Sequence, residues 1–136
     1  MTEFKPIGKL HTPYKDEKPP RQAIYATEGE FMIEVFPEYA EGLLALEERE
    51  YLIVLYLADR PAREVSLIVK AHTPDGRPRG LFASRSPVRP NPINLDVVKL
   101  DRIDGRFIYT SGLDALDGSP LLDIKPYVPE LDRRPL

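Results

Sequence analysis

The chain has 136 residues, 42% hydrophobic and 30% charged, with a net charge of −3. This suits one globular domain with a real core and argues against wholesale coating of nucleic acid. The absence of cysteine excludes disulfides and thiolate metal sites, and two histidines, His11 and His72, are too few for a histidine-based zinc site.

The elements are expected to be mainly β. Residues 7–10 read as a short first strand, and residues 11–21 as a polar, proline-rich loop. Residues 30–36 have strand composition, after a possible turn at Glu28-Gly29. Residues 37–46 are the one convincing helical stretch, with Pro37 at its start and Leu43, Leu44 and Leu46 suited to pack inward. Residues 50–58 form a near-continuous apolar run that reads as a buried central strand. Residues 64–71 read as another strand, and Ile93-Asn94-Leu95-Asp96-Val97 alternates as a half-buried strand should. Asp104-Gly105 is a strong hairpin signal before a strand at 107–110. Asp117-Gly118 marks a further turn, residues 120–124 complete the strands, and residues 128–136 read as an irregular tail. Many short strands joined by turn chemistry suggest a β-barrel or sandwich. No apolar run approaches the ~18 residues of a membrane span, and the N-terminus lacks a signal-peptide pattern. The expectation is a cytoplasmic protein with no membrane partner and no metal.

Residues 83–94 read Ala-Ser-Arg-Ser-Pro-Val-Arg-Pro-Asn-Pro-Ile-Asn. Pro87, Pro90 and Pro92 each fix φ near −65° and remove a backbone donor. The residues before them are biased toward extended geometry. Arg85 and Arg89 therefore hang from a stiff loop, which suits an anionic ligand because its ordering cost is met in folding. The plainer alternative is a connector with solvated arginines. Between residues 70 and 90, Lys70, Arg77, Arg79, Arg85 and Arg89 face only Asp75, a basic patch on an acidic body. A charged turn at Pro74-Asp75-Gly76 is the alternative there.

Residues 114–127 concentrate Asp114, Asp117 and Asp123. Carboxylates there can bind ribose hydroxyls, offset a cation or act as a base, or can belong to turns and exposed strand positions. Pro20-Arg21-Gln22 is a second stiffened polar loop. The chain has no Gly-x-Gly-x-x-Gly segment after a strand, no phosphate-binding P-loop and no visible Ser-His-Asp set.

Taken together, these motifs resemble the tRNA methyltransferase O (TrmO) family. The likeness rests on Ile7-Gly8-Lys9-Leu10, Thr12-Pro13-Tyr14-Lys15, Pro20-Arg21-Gln22, residues 82–93, Leu116-Asp117-Gly118-Ser119-Pro120 and Asp123-Ile124-Lys125-Pro126-Tyr127. The resemblance implies a single, non-Rossmann β-barrel domain over residues 1–136 with one short helix. It implies S-adenosyl-L-methionine as cofactor, tRNA as partner and a homodimer with the cofactor near the subunit interface. The implied reaction methylates the exocyclic N6 of threonylcarbamoyladenosine beside the anticodon. By motif match, Pro20, Arg21, Gln22, Arg85, Leu95, Asp114, Ala115, Leu116 and Asp117 should contact the cofactor. Asp59 and Arg60 fall where the family carries a His-containing pair.

Asp117 or Tyr127 is expected to accept the proton that the methylated amine loses. Arg77, Arg79 and Arg89 are expected to meet RNA phosphates. The chain departs from the family pattern at Asn94 and Asp96, where Gly and Ser are common, at Ser84, where Thr is usual, and at Asp59. Two rival readings stand beside the methyltransferase. One is a cofactor-binding protein without tRNA methylation, acting as a sensor or on a small molecule. The other is a non-enzymatic RNA-binding β-barrel.

Overall fold

The computed structural model describes residues 2–15, 19–20, 22–59, 64–70 and 75–135. In chain order the strands are β1 (Gly8–His11), β2 (Phe31–Val35), β3 (Tyr51–Leu57), β4 (Ile68–Val69), β5 (Arg79–Gly80), β6 (Ile93–Asp104), β7 (Phe107–Thr110) and β8 (Pro120–Pro126). A single helical turn, α1 (Pro129–Asp132), lies in the C-terminal stretch that reads as irregular from sequence. No helix among the described residues is long and apolar enough to cross a membrane.

Six strands pair antiparallel in the order β1-β2-β7-β6-β3-β8, and β8 returns to β1 through Gly8↔Leu121 and Lys9↔Pro120, so the ladder closes. Period-two alternation then sends every second side chain to the interior. Phe31, Ile33 and Val35 of β2, Leu52, Val54 and Tyr56 of β3, Val98 of β6 and Ile108 of β7 fill it, with Leu10 and Leu121. The β6–β7 hairpin follows the Asp104-Gly105 signal: Asp104 pairs with Phe107, and Gly105 takes φ 61° at the first turn position.

Two further segments differ from the sequence expectation, and β6 alternates as expected with its polar residues on the inner face. Residues 37–46 do not form an α-helix: Pro37–Leu43 and Leu46–Glu48 are 3₁₀ turns separated by a left-handed Ala45 at φ 66°. The reversal at Ala45 leaves Leu44 89% exposed, while Leu43 and Leu46 pack on the core. The strand expected over 64–71 shrinks to the two residues of β4, which pair with β5 as a ribbon separate from the barrel. Val65, Leu67 and Ile68 of that segment stay exposed, so no core rewards a longer strand. Finally, β6 has the unusual phase. Ile93, Leu95 and Val97 point outward, and Asn94 and Asp96 point into the barrel.

Loop packing gathers at the end of the barrel where β3 finishes and β6 begins. Gly112 lies so close to the Ala26 carbonyl that a Cβ at 112 would overlap it. Gly112→Ala should therefore destabilise the fold by about 1–3 kcal/mol through overpacking against backbone. Gly42→Ala, at a position with open space around it, is the matched control and should be near neutral. Urea denaturation of the two variants measures the difference.

Candidate functional site

Tyr56 and Asn94 are direct partners across β3 and β6, and Asp96 lies one inward step further along β6. All three side chains face the interior at the same end. Asp114 reaches them from the segment after β7. The Tyr56 hydroxyl donates to Asp114 Oδ1 at 2.7 Å, and Asn94 Nδ2 donates to the Tyr56 hydroxyl at 3.1 Å. The Asp114 backbone N–H donates to Asp96 Oδ2 at 3.2 Å. Among the described residues no buried side-chain nitrogen or oxygen is left without a partner.

Asp96 is 4% exposed. Burial, reinforced by the side-chain hydrogen bond and negative charge of Asp114, pushes its carboxyl up to about 9. The Asp114 N–H and the Arg85 guanidinium oppose that shift. Tyr56 is pushed well above the ordinary phenol range, first by burial and then by the neighbouring Asp96 and Asp114 charges. A neutral acid and a neutral phenol at pH 7 are both able to donate to the same carboxylate.

The loops around this cluster are tied to one another. Thr12 Oγ1 donates to the Ala115 carbonyl at 2.8 Å, and the Thr12 N–H donates to Asp117 Oδ1 at 3.0 Å. The Asp117 N–H donates to the Tyr14 carbonyl at 2.9 Å, and the Gly118 N–H to the Leu10 carbonyl at 2.7 Å. The 3₁₀ turn Ala23–Tyr25, headed by Gln22, lies against β6 and leads into Ala26 on Gly112. An open groove runs beside it, lined by Pro13, Tyr14, Tyr25, Thr27, Glu28 and Gly29. Loop 84–92 feeds straight into β6, with the Ala58 N–H bonded to the Pro92 carbonyl at 2.8 Å.

The structure therefore places Asp114, Ala115, Leu116 and Asp117 at one end of the barrel, with Arg85 near enough for buried Asp96 to feel its charge, while exposed Gln22 heads the turn packed on β6 and Pro20 is half-buried two residues before it. Arg21 and Arg60 lie outside the described residues, as does His72. Asp59 is exposed, two residues beyond β3. Leu95 does not join the cluster: it sits on the outer face, 42% exposed, between two inward residues. Tyr127 is also elsewhere. Its N–H bonds the Tyr51 carbonyl at 3.0 Å and its ring meets that of Tyr51 edge-on, at the start of β3. Tyr51 and Tyr56 are five residue steps apart along the strand, or roughly 17 Å.

The arginines expected to face RNA are engaged. Arg89 Nη1 donates to the Ser84 and Ser86 carbonyls, each at 3.0 Å, and its guanidinium lies 5.9 Å from the Phe82 ring centroid. Arg89 thus closes its own loop rather than standing outward. Arg79 bonds Asp75 at 3.1 Å, and Arg77 lies 3.7 Å from the same carboxylate. Arg85 is the exposed arginine of the 83–94 segment, and its charge is felt by buried Asp96. His11 is paired with Glu34 at 2.8 Å on the outer wall.

Sequence reasoning did not place Tyr56, Asn94 and Asp96 in the site. A signal was present: two polar residues alternate with three apolar ones on a strand that must bury one of its faces. The description of the tRNA-methyltransferase O N-terminal domain fits residues 9–133. An Archaeoglobus fulgidus protein named "Probable S-adenosyl-L-methionine-binding protein" is 45% identical over 133 residues, 97% of this chain and 36% of that protein. A Mus musculus tRNA (adenine(37)-N6)-methyltransferase is 36% identical over 100 residues, 72% of this chain and 23% of that protein. A crystal structure of TrmO superposes with a TM-score of 0.80 at 33% identity, over 98% of this chain and 61% of that one. The chain thus spans about a third of the length of the A. fulgidus relative and about three fifths of the TrmO chain. With nearly all of its residues matched and the same fold, the chain belongs to the tRNA-methyltransferase O N-terminal domain family.

Proposed function

We propose that this chain binds S-adenosyl-L-methionine at the Asp114 end of the barrel and methylates the exocyclic N6 of an adenosine in tRNA, threonylcarbamoyladenosine beside the anticodon being the substrate. The observation that supports this reading best is the segment Asp114–Asp117 tied down over the barrel end, with Asp114 bonded into a buried polar cluster whose Asp96 feels the Arg85 charge. The residues present suit the cofactor. The Asp114 carboxylate is a half-buried, oriented acceptor for ribose hydroxyls, and Arg85 is an exposed cation for the cofactor's carboxylate. When bound, the cofactor supplies a methyl group on a positively charged sulfur. The chain's own contribution is chiefly positioning, because the displacement needs nucleophile, methyl and sulfur in line.

The amine of the substrate must also lose a proton. Of the two candidate acceptors, only Asp117 belongs to the segment that carries Asp114. One of its oxygens accepts the Thr12 N–H, which fixes its orientation. Arg77 and Arg79 of the β4–β5 ribbon are proposed to meet tRNA phosphates, exchanging Asp75 for the nucleic acid. Arg89 is proposed to contribute through the shape of its loop.

The outer wall supports a homodimer. Ile93, Leu95 and Val97 form an exposed apolar row on β6, paired across the ladder with Leu57, Leu55 and Ile53. A contiguous exposed apolar row of this kind offers a contact surface for a second copy. If two copies join there, Leu95 serves the site of the second copy, consistent with its facing away from its own Asp114.

A second reading, cofactor binding without tRNA methylation, takes support from the name of the A. fulgidus relative. The two are separated by calorimetry with S-adenosyl-L-methionine and by transfer of labelled methyl to tRNA. We expect one equivalent bound per chain and label in tRNA. Binding without transfer favours the second reading, and no binding refutes both.

Arg85→Ala should weaken cofactor binding by about 1.5–3 kcal/mol, with Arg85→Lys recovering part, since lysine lacks the planar fork. Parent-like binding by both variants would place Arg85 outside the site. Leu95→Glu should convert the dimer to monomer in light scattering and lower cofactor affinity at the same time. A monomeric variant with full affinity would separate Leu95 from the site.

A further inference from the structure

Asp96 and Asp114 are two carboxyl groups in one buried cluster, and two charges cannot both be kept there cheaply. Their surroundings differ in kind. Asp114 is half-buried and accepts the Tyr56 hydroxyl at 2.7 Å. Asp96 is almost fully buried inside the barrel wall, between inward Asn94 and Val98 on β6. The ionisable groups bearing on it are Asp114 from the segment after β7, Tyr56 from β3 and Arg85 from the loop before β6. Of these, the Asp114 carboxylate opposes a negative charge on Asp96, the Tyr56 phenol is neutral, and Arg85, which favours the charge, is exposed to solvent.

We infer that Asp96 holds a proton and donates it to Asp114, so that Asp96 and Tyr56 act as positioning residues that clamp the Asp114 carboxylate from both sides for the ribose of the cofactor. The inference rests on the proposed cofactor site. The donors run in one direction: Asn94 to Tyr56, Tyr56 to Asp114, and Asp96 to Asp114, with the Asp114 N–H returning to Asp96. A chain of this kind leaves one net negative charge in the cluster and two donors fixing one carboxylate. It also assigns a joint role to Asn94 and Asp96, the two positions at which this strand departs from the Gly and Ser common in the family.

The sign of the accompanying pH effect is determined. The folded-state value of Asp96 lies at about 9, above the 3.8 of a free aspartate. Its contribution to stability is therefore fully present below pH ~4 and is lost progressively as pH rises toward 9, because the unfolded chain releases a proton that the folded one keeps. Asp96→Asn keeps a neutral donor in place and removes this dependence.

The test has two arms. The first measures affinity for S-adenosyl-L-methionine between pH 6.5 and 10 in the parent, Asp96→Asn, Asp96→Ala and Tyr56→Phe. The free ligand's own amino group titrates equally in all four, so the comparison among variants carries the result. Relative to Asp96→Asn, the parent should lose about tenfold in affinity as pH passes 9. At pH 7, Asp96→Asn should stay within about threefold of the parent. Asp96→Ala and Tyr56→Phe should each lose about tenfold. Equal loss in Asp96→Asn and Asp96→Ala, or parallel pH profiles for the parent and Asp96→Asn, would overturn the positioning role.

The second arm needs no cofactor: carboxyl-carbon NMR of the parent should show one buried aspartate titrating near 9. Thermal unfolding should show the parent losing stability from pH 5 to 9 relative to Asp96→Asn. Titration of every aspartate below 5 would overturn the shared proton even if the protein binds S-adenosyl-L-methionine tightly. Absence of cofactor binding by the parent, with the high titration intact, would instead refute the cofactor site and with it the positioning role, leaving the proton on Asp96 as a property of the fold.

Discussion

A carboxyl group enclosed by barrel wall must find donors or give up its charge, and Asp96 does both. Its need for partners accounts for much of what surrounds it. Asp114 can reach Asp96 only if the segment after β7 folds back over the barrel end. That fold-back brings Asp117 to Thr12 and Tyr14, and Gly112 to Ala26. The tie to Ala26 in turn sets the 3₁₀ turn headed by Gln22. Segments far apart in the chain thus meet around one buried proton, and the cost of ordering them is met by folding before any ligand arrives.

The closing of the ladder sets the other half of the arrangement. β3 lies between β6 and β8, and its inward residues Leu52, Val54 and Tyr56 fix which side of each neighbour is interior. Tyr56 is the last inward position of β3, and this is where the apolar core gives way to polar groups. The phenol serves both: its ring completes the core cluster and its hydroxyl begins the polar one.

Much of this was legible in the sequence for physical reasons that can be named. The alternation of β2 and the apolar run of β3 are local, and so is the Asp-Gly turn of the β6–β7 hairpin. The loops at 20–22, 83–94 and 114–118 declared themselves through proline and aspartate. The phase of β6 did not, because alternation says which residues share a face and not which face is inside. Asp96 found its partner eighteen positions away, a pairing that no local pattern announces. Arg89 misled for a related reason. Pro87, Pro90 and Pro92 remove backbone donors from their loop, so its carbonyls turn to a guanidinium, and the residue that looked free for a ligand is taken by its own backbone. The 37–46 segment winds as 3₁₀ over Pro37–Leu43 and ends at Leu44, with Ala45 left-handed, backbone states that composition does not reveal.

Closure of the six-strand ring has a consequence for assembly. A ring of strands has no unpaired rim on which another chain can extend the hydrogen-bonding pattern, so among the described strands only the small β4–β5 ribbon offers one. Two copies paired along β6 as proposed would therefore meet through side chains across a wall. Separating them would leave every barrel ladder bond in place, so dilution would part the subunits without unravelling either one, and dissociation and unfolding would be distinct events with different dependences on protein concentration.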